Sequence, residues 1–459
     1  MVMEADRVRT AEDVRRILDD RGLQHARVGI FDVDGVLRGK YMSRDKLLSA
    51  VDKGSFGFCD VVLGWDVADG LYDNAEYTGW HSGYPDAPVR IVPDTCRDLP
   101  LEGTDMILFL GEFGGEAEAV CPRGTLKRVL QRARDLGFEV RAGFEYEFFV
   151  FNETPHSLRA KSFRHLEPMA PGSFGYSMLR GSVESELNRE ILELSTAMGM
   201  PLEGLHEEAG PGVLEAAIEA RDGLRAADDA ALFKTFVKVL AQKRQKIATF
   251  MARWSEKWPG QSGHIHVSLT DGDGRPVFHD AGEEGGTSRI QRQFLAGQQA
   301  LMPELLCLAA PTINSFTRLV PGFWAPTVAS WGVDNRTCAL RLIPGSPSAQ
   351  RIEYRVAGAD CNPYLGLAAA VASGLWGIEN ELEPSAPTEG SAYDKKFPRK
   401  LQLPTTLWDA AQRLRASKAA RELFGDAFVE HFAASREWEE REFRKAVTDW
   451  ELRRYIEII

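Results

Sequence analysis

The chain has no C-x-x-C pair and no cysteine spacing of a zinc site. Its six cysteines, Cys59, Cys96, Cys121, Cys307, Cys338 and Cys361, are scattered, which argues against a structural zinc and points to a reducing cytoplasm. Long apolar runs are missing too. The best of them, Tyr364 to Gly377, is short and rich in Ala and Gly, and Met1 to Arg16 is heavily charged with no apolar core, so neither membrane insertion nor secretion is expected. No concentrated basic face offsets the formal charge of -12, which excludes nucleic acid and anionic membrane as natural partners. Low-complexity blocks and internal repeats are absent, so the whole chain is expected to fold.

What is present is an ordinary globular composition, 44% hydrophobic beside 27% charged, over 459 residues. That length exceeds what one core usually supports and predicts more than one domain. Residues 10–20 read as an amphipathic helix and 26–33 as a strand, followed by short strands and turns to about 110. Pro122 then opens a helix in which Leu126, Val129, Leu130, Ala133 and Leu136 recur at helical spacing before Gly137. The domain boundary is placed near 118, giving domains 1–117 and 118–459. Further amphipathic helices at 183–198, 228–251, 288–307 and 364–380 alternate with short strands, an α+β pattern. Residues 383–404, rich in Pro, Ser and Lys, read as an exposed loop, and Trp450 and Tyr455 are expected to pack.

Strand-like segments carry an apolar face opposite an ionic one, because residues two apart on a strand share a face. Glu145 and Glu147 point one way while Tyr146 and Phe148 point the other. His264 and His266 oppose Ile265, Val267 and Leu269. Arg351, Glu353 and Arg355 oppose Ile352, Tyr354 and Val356. In 205–218, Glu208 and Glu215 flank a Gly210-Pro211-Gly212 turn that can bring both carboxylates to one point. Such a polar face can simply meet solvent in an antiparallel sheet, but four segments agree. Clustered Glu oxygens with an imidazole suit Mg²⁺ or Mn²⁺, and nearby arginines, dense between Arg318 and Arg355, suit a phosphate. Phosphoryl transfer is the reaction class implied.

The motifs G-F-E-Y-E-F-F (143–149), H-E-E-A-G-P-G-V-L-E (206–215), S-G-H-I-H-V-S-L (262–269), R-L-V-P-G (318–322) with N-R-T-C-A-L-R (335–341), and R-I-E-Y-R with N-P-Y-L (351–365) occur in this order. Together they resemble the glutamine synthetase family over nearly the whole chain. The resemblance implies a small N-terminal β-grasp domain, a larger catalytic domain, and ring-shaped homo-oligomers with active sites between subunits. By that resemblance Glu147, Glu208 and Glu215 hold one metal, and Glu145, His264 and Glu353 the other. Arg336 and Arg341 steady the transferring phosphoryl group; Arg341, Arg351 and Ser268 contact ATP; Arg318 and Arg355 clamp glutamate. The implied reaction activates a carboxylate as an acyl phosphate that an amine then attacks.

Three departures bear on the substrate. Two residues after R-L-V-P-G, where ammonia-using members carry a glutamate, stands Trp324, preceded by Phe323. Pro259 and Gly260 replace an asparagine-glycine pair that contacts glutamate, and the N-terminal G-S-S element is missing. These features resemble the subgroup that makes γ-glutamyl amides from alkylamines, polyamines or arylamines, with Trp324 and Tyr176 at the amine site and Asp60, Asp66 or Glu207 as candidate bases. Competing readings are an ammonia-using glutamine synthetase and a non-catalytic ring scaffold, although no metal ligand has decayed. A third starts from G-I-F-D-V-D-G-V-L at 29–37, which resembles the Asp32/Asp34 motif of haloacid-dehalogenase-like phosphatases but leaves the glutamate-rich motifs unexplained.

Overall fold

A computed structural model describes residues 2–103 and 105–459. Alternating apolar residues near the N-terminus build five strands: β1 (His25–Phe31), β2 (Leu37–Ser43), β3 (Phe56–Cys59), β4 (Asp86–Asp98) and β5 (Ile107–Phe113), in the order β2-β1-β5-β4-β3. β1 and β5 run parallel and the other neighbours antiparallel. Helix Arg44–Lys53 starts on Ser43, whose hydroxyl accepts from the Lys46 N–H, and stops at Gly54 in the left-handed region.

The Asp-x-Asp-Gly stretch is the turn between β1 and β2. Asp32 is buried, accepts from the Asp34 and Val36 amides, and pairs with Arg38 at 2.8 Å. Asp34 pairs with Arg436 at 2.6 Å, and the Asn362 amide donates to the carbonyls of Asp32 and Val33. This turn therefore anchors the first sheet to the rest of the chain.

The second sheet has nine strands: β6 (Phe138–Phe151), β7 (Leu202–Glu207), β8 (Val213–Ile218), β9 (Arg221–Asp222), β10 (Ile247–Thr249), β11 (Gly263–Asp271), β12 (Trp331–Val333), β13 (Leu340–Ile343) and β14 (Arg351–Tyr354). The main path is β12-β13-β14-β11-β6-β8-β7, with β9 and β10 also pairing with β6. On one face Phe144, Tyr146, Phe148, Ile265, Val267, Ile352 and Tyr354 are buried. Helices Pro122–Asp135, Gly223–Lys243 and Pro363–Glu379 lie on that side of the sheet. Helix Arg289–Ala309 packs on Pro363–Glu379 at Gly297 and Gly377, where a Cβ would stand 2.1 Å from the Ser373 and Gln293 carbonyl oxygens respectively. Only glycine allows that approach.

One continuous hydrophobic core runs from Met3 to Phe432 and joins both sheets. The boundary expected near 118 falls between β5 and helix Pro122–Asp135. The helix expected over 228–251 instead occupies Gly223–Lys243: the chain turns at Gln245, with φ of 56°, and Ile247–Thr249 adds a strand to β6. Edge pairing overrides the helical periodicity there. In 383–404, Ala392, Leu401 and Leu403 are buried. Trp450 and Tyr455 do meet, edge to face at 5.8 Å, but on an exposed helix.

Candidate active site

The ionic face of the second sheet is assembled by strand register. Glu145 on β6 lies opposite His264 on β11, and Glu147 lies opposite Glu215 on β8. Glu353 on β14 faces His266 on one side and Arg341 on the other, while His206 on β7 faces Glu215. The pleat turns all these side chains toward one side.

Two groups of ligand atoms result, each lying within 4.8 Å of one another: Glu145, His266 and Glu353; and His206, Glu208 and Glu215. His264 Nδ1 stands 3.4 Å from Glu145 and 3.2 Å from Glu353, while its buried Nε2 has no partner among the described residues. Glu147 accepts from the Ser262 amide at 2.8 Å. Arg341 reaches Glu353 at 3.0 Å, and Arg355 pairs with the other oxygen of the same carboxylate.

Electrostatics reflect this crowding of like charges. Burial, then repulsion from Glu145, Glu147, Glu208 and Glu353, pushes the Glu215 carboxyl up to about 10. Burial pushes Glu147 up to about 7. Burial opposes ionisation of Glu145 as well, but hydrogen bonds from His264 and His266 prevail and hold it well below the usual carboxylate range. Glu353 lies at about 2, because His264 and Arg355 outweigh its burial. Burial and Arg355 lower His264 to about 4, so it is neutral and able to coordinate.

Glu145, Glu147, Glu208, Glu215, His264 and Glu353 all line one cavity of about 380 Å³, together with Tyr176, Trp324, Arg336, Arg341 and Arg355. A second cavity of about 460 Å³ shares Glu145 and contains Ser268, Arg351 and His266 beside the apolar Ile218, Val267 and Leu269. Arg336 is exposed and, among the described residues, has no hydrogen-bond or ion-pair partner. Its guanidinium is free for an anion.

Other residues lie elsewhere. Arg318 is 1% exposed and donates to the carbonyls of Val356 and Arg355 and to the Ser262 hydroxyl, beneath the cavity wall. Asp60 is buried in the turn after β3, and Asp66 accepts from Ala68, Gly70 and Trp438. Neither belongs to the cavity lining. Glu207 lines a small neighbouring pocket with Phe174 and Arg180.

Two aromatic residues at the cavity hold positive φ: Tyr176 at 57° and Trp324 at 60°. Bulky residues rarely adopt this region, which costs about 1–3 kcal/mol and persists mainly at functional sites. Tyr176 is 72% exposed yet stacks on His206, centroids 4.3 Å apart. Trp324 is 59% exposed. Sequence reasoning did not single out His206 as a ligand, and it noted His266 only for its face. His206 precedes two glutamates in the H-E-E run, and that run of ligand-type residues was the available signal.

The donor set fits divalent cations. Five carboxylates and the nearby imidazoles are hard or borderline ligands suited to Mg²⁺ or Mn²⁺. The orphaned Nε2 of His264 and the mutual repulsion that forces a proton onto Glu215 are features that a cation relieves.

Comparison with known proteins identifies relatives over nearly the whole chain. Residues 119–455 match the family described as glutamine synthetase, catalytic domain. The chain is 45% identical over 93% of its length to type-1 glutamine synthetase 2 of Dictyostelium discoideum, covering 82% of that protein. It is 39% identical over 97% of its length to a glutamate–isopropylamine ligase of a Pseudomonas species, covering 98% of it. It is also 39% identical over 93% to the γ-glutamylethanolamide synthetase GlnA4 of Streptomyces coelicolor, covering 91% of it. Among solved structures, ligand-free GmaS superposes with a TM-score of 0.82 and 26% identity, over 96% of this chain and 99% of that one.

Proposed function

The chain belongs to the glutamine synthetase family, and from that premise we propose that it joins the γ-carboxylate of glutamate to an organic amine, an alkylamine, polyamine or arylamine. As a family member it is an ATP-dependent ligase with divalent-metal ligands, and no helix of the described residues is long and apolar enough to cross a membrane. The observation that carries the amine reading is Trp324 in the lining of the metal-rich cavity. An indole offers apolar surface and a π-face but accepts no proton, so it favours a substituted amine over ammonia. One relative named as a glutamate–isopropylamine ligase and another named for γ-glutamylethanolamide support the same reading.

In the proposed reaction ATP occupies the cavity of Arg351 and Ser268, and glutamate the cavity of Arg355, with Arg318 acting beneath by holding Arg355 and Ser262. The glutamate carboxylate attacks the γ-phosphorus, the bond to ADP breaks, and an acyl phosphate forms. The neutral amine nitrogen then attacks the acyl carbon, the acyl C–O bond to phosphate breaks, and the departing phosphate takes up the proton that the nitrogen sheds. Arg336 and Arg341 meet the charge spread over the transferring phosphoryl oxygens. Mg²⁺ or Mn²⁺ held by the two groups of ligands would neutralise phosphate charge and act as Lewis acids. A ring-shaped homo-oligomer with sites between subunits would let Asp66 serve a neighbour's cavity, whereas Asp60 is enclosed within its own chain.

The Dictyostelium relative favours a second reading, glutamine synthesis from ammonia. One experiment separates the two: ADP release with glutamate and a panel of ammonia, alkylamines, polyamines and arylamines, with products identified by mass. The proposal requires an organic amine to exceed ammonia in kcat/KM. Preference for ammonia over every amine establishes the second reading instead.

A further inference from the structure

The two histidines of β11, His264 and His266, share a face of the sheet but open on different cavities. His264 lines the metal-rich cavity, whereas His266 lines the neighbouring cavity of about 460 Å³ that contains Ser268 and Arg351; Glu145 belongs to both linings. Distance alone would count either imidazole as a metal ligand, because each ring has a nitrogen 3.4 Å from the same oxygen, Oε2 of Glu145. Their other hydrogen bonds separate them.

His266 has both ring nitrogens engaged. Its Nδ1 accepts from Arg351 Nε at 3.1 Å. A guanidinium only donates, so Nδ1 carries no hydrogen and the N–H of the ring is on Nε2, which donates to Glu145 Oε2 across a long 3.4 Å bond. A nitrogen that bears hydrogen has no lone pair to give a cation, and the lone pair on the other nitrogen is held by Arg351. His264 differs, because its buried Nε2 has no partner among the described residues and this ring keeps a nitrogen for a cation. Arg351 is oriented in turn by the Ala349 carbonyl, to which Nη1 donates at 2.8 Å, while its Nη2 has no partner among the described residues.

We propose that His266 is a positioning residue and not a metal ligand: it bridges Arg351 of the nucleotide cavity to the metal-site carboxylate Glu145. The inference rests on the ligase reading, which places ATP beside Arg351, and adds to it the link by which the nucleotide side of the site is tied to the metal side. The ring fixes the Arg351 guanidinium at Nε, so that the free Nη2 meets phosphate from a set direction. Arginine binds phosphate best when its planar fork is already oriented. Of the two histidines in the G-H-I-H run, only His264 is then left to coordinate.

The test uses two readouts on the intact protein, neither of which needs turnover: Mn²⁺ bound per chain without nucleotide, from the electron paramagnetic resonance of free Mn²⁺, and the Kd of a non-hydrolysable ATP analogue with Mg²⁺, by calorimetry. His266→Phe removes the bridge, whereas His266→Gln can rebuild it, since its amide oxygen can accept from Arg351 and its NH₂ can donate to Glu145. Both variants should bind as many Mn²⁺ ions as wild type, with Kd within about threefold, while His264→Ala should lose one ion or bind it at least tenfold more weakly. The analogue should bind at least fivefold more weakly to His266→Phe and within about twofold of wild type to His266→Gln. On an Arg351→Ala background, His266→Phe should add little further loss. Loss of a Mn²⁺ ion in His266→Phe would make His266 a ligand and overturn the proposal. So would analogue binding that is unchanged in His266→Phe, or no better in His266→Gln than in His266→Phe. These outcomes leave the ligase reading intact; a wild type that binds Mn²⁺ but no ATP analogue defeats both.

Discussion

Glu147 and Glu215 are direct cross-strand partners on β6 and β8, two carboxylates facing one another inside the sheet. Like charges placed this way oppose folding by about 0.2–1 kcal/mol unless a proton or cation lies between them. Glu147→Ala should therefore abolish turnover while the metal-free protein melts no lower than wild type. Circular dichroism and thermal melting in EDTA, beside an ADP-release assay at saturating ATP and Mg²⁺, check both halves. Near-normal turnover in this variant refutes the metal role.

The same crowding sets a pH dependence. Glu215 and Glu147 have folded-state values of about 10 and about 7, both above the ordinary 4.5 of an unfolded glutamate. The folded protein thus binds more protons than the unfolded chain between these limits. The stability this confers is full below pH 4.5 and is lost as pH rises through 7 and then 10. Metal-free protein should lose melting temperature between pH 6 and pH 9 through these groups. Saturating Mn²⁺ or Mg²⁺ should raise it by more at pH 9 than at pH 6, because ligands must shed protons to coordinate. Calorimetry in buffers of different ionisation enthalpy should report proton release on metal binding. A stabilisation by metal that shrinks with rising pH contradicts the ligand assignment.

Much of this site was legible because strand periodicity is short and strict. Reading every second residue put Glu145 with Glu147 and His264 with His266 before any neighbour was known, and the structure gives those pairs a common face. Register between strands was not legible. His206 meets Glu215 only through the β7–β8 pairing, which is offset by an irregularity between Leu202 and Gly204. Depth was equally hidden: the arginine of R-L-V-P-G reads by resemblance as a clamp on glutamate, yet Arg318 is enclosed and spends its donors on backbone and Ser262. Periodicity also ran the helix past Lys243, since nothing local announces that Ile247–Thr249 will find an open edge of β6.

Among the described residues Arg336 has no partner, whereas Arg341 and Arg355 are both bound to Glu353. A guanidinium free in the ground state can give its full strength to charge that develops during transfer. Arg336→Ala should lower kcat by roughly a hundredfold or more, which is about 3–4 kcal/mol for a preorganised donor, with little change in stability because the side chain is exposed. Steady-state kinetics with each substrate varied in turn will show it. A change confined to the KM of the amine would assign Arg336 to amine binding instead.

In the proposed reaction Trp324 decides between amine and ammonia, on physical grounds that can be separated. Its ring offers a substituted ammonium a cation–π contact of about 0.5–2 kcal/mol and an alkyl or aryl group a surface to cover. Ammonia gains little from either. The indole also cannot take the proton that a protonated amine must lose. An arylamine, largely neutral at pH 7, is least handicapped by that lack. Replacing the indole with a carboxylate reverses each of these preferences at once: Trp324→Glu removes apolar surface, adds a site for ammonium and supplies a base. The backbone at this position, with φ of 60°, disfavours glutamate and tryptophan alike, so the exchange does not relieve strain. The ratio of kcat/KM for ammonia to that for the best organic amine should rise at least tenfold in the variant. A ratio that stays constant means the indole faces away from the reacting nitrogen, and the preference then has to arise from another wall of the cavity.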